Sequence, residues 1–161
     1  MVVVSDTTPL SNFLQINRLD LLKDLYQSVV IAPAIFSELT ALEKLGVSIE
    51  SIREANWITV KAPSNTLLVK ELQINLDVGE AEAIALAVES QPDFLLIDEI
   101  QGRISAKNYH LPIIGTLGIL LQAKQAGLLK EIKAEIDKLL IIGFWIDDGL
   151  YRKVLKTANE T

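Results

Sequence analysis

The chain has 161 residues, half of them hydrophobic, with a net charge of −6 and no cysteine. This composition suffices for one domain with a substantial core, and it excludes disulfides, zinc–thiolate sites and cysteine nucleophiles. It also excludes a broad basic face, so any contact with nucleic acid must be local or assisted by a bound cation.

No targeting or membrane segment is predicted. The opening MVVVSD lacks a basic lead and a long apolar run, so we do not expect a signal peptide. The longest apolar stretches, LPIIGTLGILLQA and LLIIGFWI, are shorter than the ~20 residues that span a bilayer. We therefore expect a protein of the cytoplasm.

The first part of the chain alternates strands with helices. Apolar and β-branched runs predict strands at Val2–Ser5, Ser28–Ala32 and Trp57–Val60. Helices are predicted from Pro9, over Leu19–Tyr26, from Pro33 and over Thr66–Gln73.

The second part continues this alternation and then becomes helical. Asp77 and Glu80 have the spacing of a capping box, before a helix that the apolar run Ala81–Glu89 predicts to be buried. Strands are predicted at Phe94–Ile97 and Pro112–Ile114. Helices are predicted at Ile100–Asn108, from Thr116 to Gln125 with Gly127 as its C′ residue, at Leu128–Leu139 and at Asp148–Ala158, before a frayed tail at Asn159–Thr161.

This alternation predicts an α/β fold, a three-layer α/β/α sandwich with a mainly parallel central sheet. Ligands bind such sheets beyond the carboxyl ends of the strands. Asp6 and Asp98 both follow predicted strands and therefore belong to that edge.

Four acids adjoin apolar segments, namely Asp6, Glu38, Glu80 and Asp98. A carboxylate is costly to bury unless it is paired or binds a cation. Gathered by a parallel sheet, these four would form a Mg²⁺ or Mn²⁺ site.

Each acid also has a purely structural interpretation. Asp6 and Asp98 could be N-caps of the helices that follow them, and Glu80 has its place in the capping box. Glu38 could be a boundary residue of its helix, and Glu82 a solvated one. Because Glu80 and Glu82 point to different sides of one helix, a single site is not expected to use both directly.

Other polar residues near these acids are candidates for supporting the site or contacting substrate. Glu99 and Arg103 have the spacing of a surface ion pair, which we favour over a phosphate contact by Arg103. Thr116 could hold a metal-bound water or a phosphate, or could be an ordinary helix cap. The single histidine, His110, has no evident serine partner for a hydrolase triad.

The segments GEAEAIALA, LLIDEIQGR and LPIIGTLGIL, in this order after a VVV strand with Asp6 and Thr7, resemble PIN-domain nucleases. The closest resemblance is to the DUF3368 group, related to VapC-type toxins. It runs from Val2 to about Leu129 and more loosely through the C-terminal helices. It implies a single PIN-like domain over residues 1–161, with a core at about 1–129 and a helical segment at 130–158.

The resemblance also implies an activity. The acidic cluster of the family maps onto Asp6, Glu38, Asp98 and a helical acid, for which we prefer Glu80 to Glu82, and Thr7 matches its hydroxyl residue. The implied chemistry is Mg²⁺- or Mn²⁺-dependent hydrolysis of single-stranded or structured RNA. The implied partner is a small antitoxin. Independently of the resemblance, the high hydrophobic content favours a homodimer or a stable partner. The apolar Leu139–Ile146 segment could form part of a dimer or antitoxin surface, although we favour core packing for it.

Other functions remain open. A non-catalytic PIN-like scaffold would keep the fold and use the acids as caps. A receiver-type domain would need a lysine after the last strand, where Gly-Thr-Leu-Gly stands. A haloacid-dehalogenase-type phosphatase would need a second acid two residues after Asp6, where Thr8 stands.

Overall fold

The structure, a computed structural model, describes residues 1–160. Its strands are β1 (Val3–Ser5), β2 (Val29–Ile31), β3 (Ile58–Val60), β4 (Phe94–Leu96) and β5 (Ile113–Ile114). Its helices are α1 (Thr7–Gln15), α2 (Leu19–Tyr26), α3 (Pro33–Ala41), α4 (Glu50–Arg53), α5 (Thr66–Leu72), α6 (Val78–Ser90), α7 (Ile100–Asn108), α8 (Thr116–Gln125), α9 (Lys133–Ile141) and α10 (Asp148–Thr157), with a 3₁₀ turn at Leu42–Leu45.

The five strands form one sheet in the order β3-β2-β1-β4-β5, and every pair is parallel. Val4, at the middle of β1, aligns with Val30 of β2 and with Leu95 of β4. The β-branched residues of β1 are fully buried because this strand lies at the centre of the sheet. The predicted α/β/α sandwich is therefore confirmed.

The order of the strands reverses at β1. From β1 the chain adds β2 and β3 on one side, and it later returns to add β4 and β5 on the other. A crevice forms at such a switch point, beyond the carboxyl ends of the two central strands. β1 and β4 are those strands, so the residues that follow them face this crevice.

Helix α6 is the buried helix expected from its sequence. It packs against β1, α3, α5 and α7, and Ala81, Ala83, Ala85 and Ala87 are fully buried. Their small side chains allow the neighbouring elements to approach closely. The first turn of α6 is thereby placed beside the crevice.

Two helix boundaries differ from the prediction. Helix α1 begins at Thr7, before Pro9, because the extended backbone of Asp6 already ends the strand. The helix predicted from Leu128 begins only at Lys133. Gly127, with φ +80°, directs its amide to Lys124 O, and the next amide returns to Ala123 O. These two bonds complete a Schellman motif, which confirms Gly127 as C′ but delays the following helix.

The prediction of a frayed tail is wrong for Asn159 and Glu160, while Thr161 lies outside the described residues. The Glu160 carboxylate accepts hydrogen bonds from the amides of Ile132 and Lys133, at 2.7 and 3.0 Å. It also pairs with Lys124 Nζ at 2.9 Å. The tail therefore caps the start of α9.

The apolar segment Leu139–Ile146 divides between core and surface. Leu139 is buried, and Ile142 and Phe144 pack partly against the core. Ile141 and Trp145 are 84% and 80% exposed. Among residues 1–160, no helix has the length and apolarity needed to cross a membrane.

Candidate active site

Asp6 and Asp98 lie at the same edge of the sheet. Asp6 directly follows β1, and Asp98 stands two positions beyond Leu96, the last residue of β4. The Asp6 amide donates to Leu96 O at 2.8 Å, which continues the pairing of the two strands. The strands therefore bring both aspartates to the crevice predicted for them.

Asp6 is only 3% exposed and sits at the N-cap position of α1, yet its side chain makes no capping hydrogen bond. Burial raises its pKa to about 7, against partial lowering by the Thr7 amide, and the charges of Glu80 and Glu38 raise it further. A cap would have its charge stabilised by the helix start. The Asp6 carboxylate is instead in a desolvated position among other acids.

Glu38 lies on α3 and faces α1 and α6. Its Oε2 accepts a hydrogen bond from Thr7 Oγ1. Burial raises the pKa of Glu38, the bond from Thr7 lowers it in part, and the charge of Asp77 raises it. Thr7 therefore orients one carboxylate of the cluster.

Glu80 and Glu82 have different surroundings although they share one helix. Glu82 Oε1 accepts from the Ala34 amide at 3.1 Å, in the first turn of α3. Burial raises the pKa of Glu80 to about 7, and its next cause is the charge of Asp77. Glu82 thus caps a neighbouring helix, whereas Glu80 belongs to the acidic cluster.

Asp77 was interpreted from the sequence only as a cap, and it has a second role. Its Oδ1 accepts from the Glu80 amide at 2.8 Å, so the predicted cap is present. Its charge also raises the pKa of Asp6, Glu38 and Glu80. The sequence offered one indication of this second role, which is the position of Asp77 one turn before Glu80. The capping box already explained that position, so the second role was missed.

Asp98 is held by Thr116 at the start of α8. The Thr116 amide donates to Asp98 Oδ1 at 2.8 Å, and the Thr116 hydroxyl donates to Oδ2 at 2.6 Å. Asn12 Nδ2, which is buried, donates to the same hydroxyl oxygen at 3.1 Å. Burial raises the pKa of Asp98, and the bonds from Thr116 and the charge of Arg103 lower it in part.

These contacts change two predictions. The Thr116 hydroxyl donates to Asp98 and accepts from Asn12, so it positions a carboxylate rather than a metal-bound water or a phosphate. Asp98 does not cap α7, the helix that follows it. Asn12 was missed because its partner is 104 residues away in the sequence.

The favoured ion pair between Glu99 and Arg103 is wrong. No ion pair within residues 1–160 joins them. Arg103 Nη1 donates to Ile97 O at 3.0 Å and lies beside Asp98, whereas Glu99 is exposed and accepts from Thr8 Oγ1 at 3.4 Å. Arg103 thus brings a positive charge into the acidic crevice.

Three glycines make room for three of the carboxylates. A Cβ added at Gly102 would lie 2.9 Å from Glu80 Oε2, and one at Gly115 would lie 2.8 Å from Asp98 Oδ1. A Cβ at Gly79 would overlap the Glu38 carboxylate in the same way. Any other residue would displace these acids, because real Cβ atoms do not approach so closely.

The donor set suits a hard divalent cation. Within residues 1–160, no three acidic side chains are gathered closely enough to hold a metal ion as they stand, so a preformed four-carboxylate cage is not present. The carboxylates nevertheless offer the oxygen ligands that Mg²⁺ and Mn²⁺ prefer. Burial is the main cause of their raised pKa values, and neighbouring acids raise the pKa of Asp6, Glu38 and Glu80 further, so a bound cation would stabilise the ionised carboxylates.

A family model described as a PIN domain, DUF3368, matches residues 2–160. This match confirms the resemblance drawn from the sequence and extends it through the C-terminal helices. PIN domains are generally nucleases. No curated protein matches the chain.

Proposed function

The chain belongs to the PIN-domain family, and from this premise we propose that it is a metal-dependent endoribonuclease acting as one domain over residues 1–161. The observation that carries the proposal is the cluster of Asp6, Glu38 and Glu80 beside the crevice between β1 and β4, with Asp98 following β4 at the same edge of the sheet. Such a crowd of desolvated carboxylates is unfavourable for folding alone and is typical of functional sites.

In this proposal, Asp6, Glu38, Glu80 and Asp98 hold the cation. Mg²⁺ or Mn²⁺, when bound, supplies Lewis-acid chemistry that makes water nucleophilic near neutral pH and offsets the charge of the phosphate. Without a cation, Asp6 and Glu80 retain protons up to about pH 7, which limits repulsion in the crevice.

The remaining residues orient the carboxylates. Thr7 fixes Glu38, and Thr116 supported by Asn12 fixes Asp98. Arg103, anchored on Ile97 O, is placed to contact a phosphate oxygen of the substrate. Because a small orientation error at a reacting group reduces rates strongly, these contacts are part of the proposed mechanism.

We propose RNA as the substrate and a toxin role with a small antitoxin as inhibitor, on the strength of the VapC-like resemblance. A local substrate site agrees with the net charge of −6, since no broad basic face is available. Exposed apolar side chains outside the crevice support an antitoxin or homodimer surface, namely Leu67, Ile74 and Ile141.

One observation supports a second candidate, a non-catalytic PIN-like scaffold. The acids of residues 1–160 do not form a ready-made metal cluster. Under this alternative, Asp98 would serve only to hold the start of α8 through Thr116.

The two candidates are separated by Mn²⁺ titration calorimetry followed by cleavage of end-labelled RNA with Mg²⁺, Mn²⁺ or EDTA. We expect Mn²⁺ binding and metal-dependent cleavage by the wild type, and neither by Asp98→Asn purified in parallel. Equal cleavage by both proteins would indicate a contaminating nuclease. If the wild type does not bind Mn²⁺ even with RNA present, the non-catalytic scaffold would be the supported candidate.

A further inference from the structure

A cleft of about 780 Å³ opens beside Asp98 and extends toward the C-terminal part of the chain. Asp98, Arg103 and Gly115 line one part of it, and Phe144 and Trp145, from the segment between α9 and α10, line another. The volume lies within the range of ligand-binding pockets. The cleft adjoins the acidic crevice at Asp98, and its lining combines a guanidinium group with aromatic rings.

The wall formed by α7 and the start of α8 offers a guanidinium group. Within residues 1–160, the Arg103 side chain makes one hydrogen bond, from Nη1 to Ile97 O. A guanidinium has five N–H donors, so the others are available to a ligand. Arg103 is thus fixed at one nitrogen and can bind a phosphate with the rest.

The segment between α9 and α10 offers an exposed aromatic ring. Trp145 is 80% exposed, although its neighbour Phe144 packs partly against the core and anchors the segment. Gly143, with φ +99°, turns the chain immediately before them. An indole held in solvent on an anchored segment is a platform on which a nucleic-acid base can stack.

One basic residue extends this lining along α10. Leu150 lines the cleft, and Lys153 follows it by one turn on the same face of the helix. Lys153 is exposed, and no ion pair within residues 1–160 involves it. Together with Arg103, it offers positive charge to a polyanion in a chain that is acidic overall.

We propose that this cleft binds the single-stranded segment of RNA that flanks the scissile phosphate, with a base on Trp145 and a phosphate on Arg103. The inference rests on the proposed function and specifies its substrate class. Single-stranded RNA is favoured because its bases are free to stack on a protein ring, whereas the bases of a duplex are already stacked. An apolar protein helix would bury Arg103 and Asp98 without partners.

The test measures binding of fluorescein-labelled single-stranded oligouridylate by anisotropy, in Ca²⁺ and at several salt concentrations. We expect Trp145→Ala to weaken binding about 10-fold, and Trp145→Phe to recover most of the loss because a phenyl ring also stacks. The matched control is Leu45→Ala, since Leu45 is apolar, 78% exposed and outside the cleft. We expect the control to bind as the wild type does.

Intrinsic fluorescence gives an independent measurement. The chain contains two tryptophans, Trp57 and Trp145. In a Trp57→Phe background, emission comes from Trp145 alone, and we expect the oligonucleotide to quench it. A hairpin duplex of equal length should quench it less.

The outcomes separate this inference from the proposed function. Binding that depends on Trp145, without RNA cleavage in Mg²⁺ or Mn²⁺, would support the cleft and overturn the nuclease activity. Cleavage with the same KM and affinity in Trp145→Ala would overturn the cleft assignment and leave the activity. Absence of oligonucleotide binding, or a Trp145→Ala effect on self-association in place of RNA binding, would also overturn the cleft assignment.

Discussion

Thr116 directs both its amide and its hydroxyl to the carboxylate of Asp98, at 2.8 and 2.6 Å. A single residue thereby fixes both oxygens of one acid, and the buried Asn12 amide fixes the hydroxyl in turn. These contacts fix the orientation of the Asp98 carboxylate.

We expect Thr116→Val to destabilise the protein by about 1–3 kcal/mol, because it leaves the buried Asn12 amide without its acceptor. It should also weaken Mn²⁺ binding, since Asp98 loses one of its two bonds. Urea denaturation and calorimetry measure the two effects. Thr116→Ser keeps the hydroxyl and should restore both; a serine variant as impaired as valine would contradict this role.

We expect Asp6→Asn and Asp98→Asn each to reduce metal-dependent RNA cleavage to the level of an EDTA-treated sample while the fold is retained. Asp6→Asn should also be more stable than the wild type near pH 8, on the order of 1–3 kcal/mol, because it removes a desolvated charge. The readouts are cleavage assays and denaturation curves. Asp24→Asn, at an exposed acid, is the control and should change neither quantity.

Substitution of the two glutamates of α6, Glu80 and Glu82, should have different effects on activity. Glu80→Gln should lose cleavage and Mn²⁺ binding because it removes a charge from the acidic cluster. Glu82→Gln should remain active, since the amide oxygen can still accept from the Ala34 amide. Cleavage assays on both variants measure this difference. The opposite pattern would make Glu82, rather than Glu80, the metal ligand on α6.

The metal-free protein should become less stable as the pH rises from about 5 to about 8. Asp6 and Glu80 have pKa values of about 7 in the folded protein, against ordinary values of 3.8 and 4.5. Between its ordinary and its folded-state pKa, each group takes up a proton when the protein folds. Its contribution to the free energy of unfolding is therefore full below the ordinary pKa and is lost as the pH rises past 7.

Denaturation at a series of pH values measures this slope. Asp6→Asn should reduce it, and saturating Mg²⁺ should flatten it because the cation binds the ionised carboxylates. A free energy of unfolding that rises with pH over this window in metal-free buffer would refute the raised pKa values.

Gly115→Ala should weaken Mn²⁺ binding about 10-fold. The added Cβ would lie 2.8 Å from Asp98 Oδ1 and 2.9 Å from Arg103 Nη1, so the carboxylate must shift from its place on Thr116. Calorimetry measures the loss. Gly149→Ala is the control, because its Cβ meets only Asp147 Oδ1, at 3.2 Å, and it should bind Mn²⁺ as the wild type does.

The strands and the edge that carries the acids were predictable because their patterns are local. The β-branched run before Asp6 and the apolar run before Asp98 predict strand ends without knowledge of the rest. The short helix α4 and the 3₁₀ turn were missed because neither is long enough to show a helical period.

The supporting contacts of the site were not predictable because they join distant parts of the chain. The spacing of Glu99 and Arg103 predicted an ion pair, but Ile97 O and the neighbouring Asp98 offer Arg103 a better-buried position. Glu80 and Glu82 have different roles because the start of α3 lies beside Glu82. The sequence of α6 alone does not show where α3 lies.

The central position of β1 has a consequence for how the protein assembles. Val3 pairs with Phe94, about 90 residues later, and contacts between such distant segments form late in folding. Asp6 and Asp98 are therefore brought to the same edge and buried only when β4 docks beside β1, so the cost of desolvating these two carboxylates opposes that late step rather than early collapse. A divalent cation present during folding should accelerate the docking of β4, which gives the acids an influence on the rate of maturation as well as on the finished crevice.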